Sequence, residues 1–256
     1  MRGVLASEWL KLRTVSSTGY AIGAATAMIA LGAVWSFYVG GLADERGSVR
    51  AAAPEAGFLP LVQVSLAVLG VLAATSEHAT GTIRLSLSAV PKRGVLILAK
   101  TGVVAALTLA VSLGAILTTY AVSRVIAGDR SLGFNGTAFA NDLPGLLASA
   151  LSVAVLALVG LGLGFATRST AAGIVSVVSL LFVLPGVVRY LPSPWGQRVS
   201  SFMIPDLVPQ MAGVRFRSGG AWQDGMLPPW IALLAMLAYA AVAVGVGYWS
   251  LKRRDA

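Results

Sequence analysis

The sequence has no cysteine, a single histidine, and charge on only 11% of its 256 residues. Each shortage excludes something. Without cysteine there can be no disulfide framework, thiol nucleophile or thiolate metal site. With His78 alone there is no two-histidine site, and the usual zinc sites go with it. A water-facing domain typically carries about 25% charged residues. A chain that is 11% charged and 57% hydrophobic, with a mean hydropathy of +0.82, cannot clothe such a surface and reads as an integral membrane protein. The phosphate-cradling pattern GxxxxGK[ST] is missing, so the chain has no ATP site of its own, and the nucleophile pattern GxSxG is missing too. The opening "MRGVLASEWLKLRTVSS" is broken by Glu8, Lys11 and Arg13, so it lacks the apolar core of a cleavable signal peptide.

What is present is a set of long apolar runs. Crossing about 30 Å of hydrocarbon takes roughly 20 residues of helix. Six charge-free runs qualify: 18–41, 57–75, 101–122, 144–166, 171–188 and 229–251. The third is extended back to 95, with Lys100 snorkelling to the interface, so the expected span is 95–122. Backbone polar groups in lipid must be satisfied within the segment, so the runs are helices, and the fold class is an all-α, six-span membrane protein forming one transmembrane domain, 1–256.

The positive-inside rule orients it. With both termini cytoplasmic, eleven basic residues, including all four lysines, face three acids inside, whereas eight arginines face seven acids outside. The net charge of +9 is therefore read as topology, not as affinity for nucleic acid.

The connections differ in character. Segments 42–56 and 123–143 are polar outer loops, and the latter holds Asn135–Gly136–Thr137, a glycosylation pattern too short to carry weight. Segment 190–228 is a long outer loop carrying Trp195, Phe202, Met203 and Pro205. Short interfacial helices or a simple anchoring belt of aromatics both fit it. At the N-terminus, Leu5, Trp9 and Leu12 share one helical face, which predicts an in-plane helix over 3–14 with Glu8, Trp9 and Lys11 at the cytoplasmic interface. The pairs Gly19/Gly23 and Gly160/Gly164 allow close helix approach, within one chain or between two.

The inner loop 76–94 is the unusual one. Ile83, Leu85 and Leu87 are more apolar than a solvated loop needs, whereas a short helix pressed against a partner would use them. His78 by itself reads as a solvated interfacial side chain.

The stretch "EHATGTIRLSLSAVPKRGVLILAK" closely resembles the loop after the second span in permease subunits of type-2 ABC exporters. Glu77, Gly81, Thr82, Ile83, Arg84, Pro91, Lys92, Arg93 and Lys100 occupy the family's places. "SEWLKLRT" is similar to the family's elbow helix, and "LKRRDA" to its basic tail.

The resemblance implies a division of labour. The chain would pair with a second permease, a copy of itself or a sister chain, and sit on a separate ABC ATPase that carries ATP and Mg. Within the coupling loop 76–94, Glu77–Arg84 would be the coupling helix, with Glu77, His78, Thr80, Gly81, Thr82, Ile83 and Arg84 at the ATPase junction. Glu8, Trp9 and Lys11 would help seat the same partner, and Trp195, Phe202, Met203 and Pro205 would cap the outer end of the path. The charge-free spans point to an apolar or amphipathic cargo, and the glycine- and alanine-rich composition to a bacterial cytoplasmic membrane. The alternative is a membrane scaffold or maturation factor that docks a cytoplasmic partner without transport. An intramembrane enzyme would lack its catalytic groups.

Overall fold

Helix is the only regular structure among the residues described by the computed structural model, which are 7, 9–10, 17–47, 49–79, 93–213 and 226–254, with backbone alone at 17, 18, 78, 79, 93 and 254. The elements are α1 (Ser17–Arg46), α2 (Pro54–Gly57), α3 (Leu59–Ala79), α4 (Arg93–Ala127) and α5 (Phe139–Thr167). Then come α6 (Thr170–Val178), which runs through a π turn (Ser179–Val183) into α7 (Leu184–Val188), α8 (Trp195–Ser200), α9 (Ile204–Met211) and α10 (Pro229–Arg254). Six helical stretches are long and apolar enough to cross a membrane: α1, α3, α4, α5, the continuous α6–α7 and α10, here spans one to six.

The helices outrun the apolar runs at their ends. Span one continues past Gly41 because Leu42 and Ala43 still pack, and because Arg130 Nε donates to Asp44 Oδ1 at 2.7 Å. It ends at Gly47, whose positive φ of 79° lets its N–H reach the Ala43 carbonyl at 2.8 Å. Span four starts at Phe139, ahead of Pro144, which lies inside the helix and costs it one intrahelical hydrogen bond. The expectation of charge-free spans therefore holds only for their middles: Glu77, Lys100, Arg124 and Asp142 all lie within helix.

Span four is the centre of the bundle. Of its most apolar stretch 72% is buried, against 33% for span one, 28% for span five and 22% for span six, so the open faces belong to these outer spans. The sequence Gly160–Leu161–Gly162–Leu163–Gly164 explains this. On a helix, positions 160 and 164 share a face and 162 lies opposite. A Cβ at Gly160 would meet the Ala67 carbonyl of span two, and one at Gly164 would meet the Val71 carbonyl and Ala74 Cβ, both at 2.9 Å. A Cβ at Gly162 would meet the Ala243 carbonyl of span six. Glycine thus brings two neighbours to backbone distance on opposite sides. Gly19 and Gly23 differ: among the described residues, a Cβ there would meet nothing within 4 Å.

Matched positions 63–152, 67–160 and 71–164 show that spans two and four run parallel, as even-numbered spans of an up-and-down bundle must. The start of span one and the end of span six therefore share one end of the bundle, the terminal end. The loops after spans one, three and five lie at the distal end.

Candidate functional site

At the terminal end, spans two and three close on an ion pair. Lys100 Nζ donates to Glu77 Oε1 at 2.9 Å, with side chains 5% and 8% exposed. Lys100 therefore does not snorkel outward as expected. A lysine this enclosed needs a counter-ion, and span two supplies one. Nearby, the Thr170 hydroxyl donates to Thr75 Oγ1 at 2.8 Å, while Thr75 donates to the Val71 carbonyl at 3.0 Å. The end of span two is thus tied to spans three and five.

These ties flank the segment 80–92, which lies outside the described residues, as do Thr80, Gly81, Thr82, Ile83, Arg84 and the His78 side chain. Of the elbow segment 3–14, Ser7, Trp9 and Leu10 have helical backbone and are exposed, while Glu8 and Lys11 lie outside the described residues.

At the distal end, residues from four segments converge on Arg124. Its Nη2 donates to Glu55 Oε1 at 3.0 Å and its Nη1 to Ser123 Oγ at 3.0 Å. The Asp142 carboxylate stands 3.5 Å from Nη2 and accepts from the hydroxyls of Tyr120 at 2.9 Å and Thr137 at 2.8 Å. The guanidinium lies 4.0 Å from the Tyr120 ring centroid and 5.0 Å from that of Phe134. Glu55, expected in a polar loop, is instead 7% exposed on α2. Asn135 spends its side chain inside its own loop, donating to the Arg130 carbonyl at 2.7 Å and accepting from Leu132 N–H at 3.2 Å. No motif announced the Arg124 cluster. The only sequence signal was a charged residue at each helix end bordering the outer loops.

The cluster borders a cleft of about 510 Å³, floored by Leu59, Gln63 and Leu146 and roofed by Pro205 and Val208 of α9. The expected outer group divides here. Pro205 lines the cleft and Met203 is buried, whereas Trp195 and Phe202 are 62% and 45% exposed. Phe202 and Met203 lie in the turn between α8 and α9, not on a helix. The turn is held because Tyr239 Oη donates to the Phe202 carbonyl at 3.0 Å. Gln210 adds a staple, donating to the Ser201 carbonyl at 2.8 Å and accepting from Leu227 N–H at 2.6 Å. Burial raises the Asp206 carboxyl above the ordinary carboxylate range, and Arg189, 3.9 Å away, opposes that in part.

The bundle is thus an apolar six-helix membrane domain whose charged side chains, among the described residues, lie near its two ends. A family model described as "ABC-2 family transporter protein" matches residues 4–186. The chain belongs to the ABC-2 transporter family. The match takes in spans one to four and nearly all of span five, and stops short of α8, α9 and span six. Comparison with curated protein sequences returned no match. As an ABC-2 family member the chain is a multi-pass membrane permease of an ABC transporter, a class of subunit without a catalytic site of its own.

Proposed function

We propose that this chain is the membrane subunit of an ATP-driven exporter in a bacterial cytoplasmic membrane, with both termini cytoplasmic. Two permeases, identical or sister chains, form the path. A separate ABC ATPase, carrying ATP and Mg, docks on the terminal end through the loop 76–94 and the elbow residues Glu8, Trp9 and Lys11. Gly81 lets that loop turn tightly, Ile83 supplies an apolar contact, and Arg84 a charged one. The observation that carries the reading is the family match over residues 4–186 of a six-span bundle. The ties from span two to spans three and five support it, because a push on the loop would reach several helices at once. The cargo is apolar or amphipathic, in keeping with span middles that carry no charge.

Affinity purification of the tagged chain from its native membrane, with mass spectrometry of what accompanies it, tests the reading. A stoichiometric ABC ATPase is expected. A different cytoplasmic partner and no ATPase would favour the scaffold reading. Gly81→Trp should abolish most of the ATPase recovery while leaving membrane insertion intact, and undiminished recovery would remove the docking role of the loop. Cysteines introduced at Ala79 and Ala138 should label with an impermeant maleimide from opposite faces of the membrane. Labelling from one face would sink the six-span topology.

A further inference from the structure

The charges around the distal cleft do not cancel. Glu55 neutralises Arg124 through two hydrogen bonds, at 3.0 and 3.4 Å. Asp142 is left with neutral hydroxyl donors from Tyr120 and Thr137 and with Arg124 only at 3.5 Å. No second cation lines the cleft among the described residues, so a mostly apolar space of about 510 Å³ carries one net negative charge. Gln63, 4% exposed, also lines the cleft and donates through Nε2 to Ser152 Oγ at 2.9 Å.

A space of this size, apolar walls and a few converging polar groups are the features of a small-molecule site. A carboxylate set among apolar walls and only 23% exposed favours a positive partner, because it is less screened than one in open water.

We infer that the cleft binds an amphipathic monocation, its ammonium paired with the Asp142 carboxylate and its apolar body lying against Leu59, Leu146 and Val208. Arg124 is the fixed part of the site: held by Glu55 and covered by the Tyr120 and Phe134 rings, it sets the position of Asp142 without offering its charge to the ligand. The α9 helix, stapled through Gln210, forms the wall on the other side. This deepens the permease reading by naming a class of cargo, and the binding step is measurable without any ATPase.

The test uses the full chain in neutral phosphatidylcholine nanodiscs, with empty nanodiscs as the blank. The probe is dansylcadaverine, an aromatic body bearing one primary ammonium, compared with a dansyl amide of equal chain length that lacks the amine and with one ending in a carboxylate. The ammonium probe should bind at least tenfold more tightly than the neutral one, and the carboxylate probe more weakly than both. Asp142→Asn retains hydrogen-bonding groups for Tyr120 and Thr137 and should erase the tenfold preference. Ala56→Trp, at an exposed position on the cleft wall, should abolish binding of all three and carries the test if Asp142→Asn does not fold. Equal binding of the ammonium and neutral probes, a preference for the carboxylate probe, or binding unchanged by Ala56→Trp would each overturn the assignment. Selective binding without a co-purifying ATPase would leave the site standing and the exporter reading fallen. The reverse result would do the opposite.

Discussion

Lys100→Met should destabilise the bundle by about 3–5 kcal/mol, because it leaves the Glu77 carboxylate enclosed without its lysine. Both side chains are less than a tenth exposed and they meet at 2.9 Å, so neither can turn to water without moving a helix end. The double variant Glu77→Gln/Lys100→Met should recover much of that loss, since it removes the buried carboxylate together with the lysine that meets it. A double-mutant cycle on thermal unfolding of the detergent-solubilised chain reads this out. Additive losses would show that the two groups do not act as a pair. Transport and ATPase coupling should not recover with stability in the double variant. Under the exporter reading, the pair fixes the register of spans two and three where the docking loop leaves and re-enters the bundle. Full recovery of coupled ATP hydrolysis would reduce the pair to a packing element.

The sequence made the six spans legible and their ends illegible, for one physical reason. About 20 apolar residues have no alternative to a membrane helix, whatever the tertiary context. A charged residue at the end of such a run continues the helix only if a distant partner receives it. Asp44 continues span one because of Arg130, 86 positions away, and Glu55 is drawn into α2 by Arg124, 69 positions away. Lys100 turns inward for Glu77, 23 positions away. Periodicity carries no record of these pairs. The distal cleft was hidden in the same way, because its polar residues come from four segments with no common spacing. Pro205 alone of the expected outer group lines it. The glycine pairs show the converse: 19/23 and 160/164 have the same spacing, and only the neighbours distinguish them.

That contrast makes Gly160→Leu one of the more damaging single substitutions expected in the spans. The atom in the way is the Ala67 carbonyl, part of the span-two backbone, and Val71 Cγ2 stands 3.3 Å away behind it. A side chain can swing aside, but a helix backbone moves only as a whole. Overpacking a core costs about 1–3 kcal/mol when side chains can adjust, and more when they cannot. Gly160→Leu should therefore cost upwards of about 3 kcal/mol and largely abolish monodisperse protein in detergent. Gly160→Ala should fall between it and wild type. Separation at this point would also open the Gln63–Ser152 hydrogen bond and the floor of the distal cleft, both built where spans two and four meet. Gly19→Leu is the control. It adds the same side chain to the same kind of pair, yet its Cβ meets nothing among the described residues, so the protomer's unfolding midpoint should move far less. Equal midpoints for Gly160→Leu and Gly19→Leu would mean that spans two and four do not meet at backbone distance. A Gly19→Leu protomer that is stable but no longer pairs would place the second permease on the exposed face of span one.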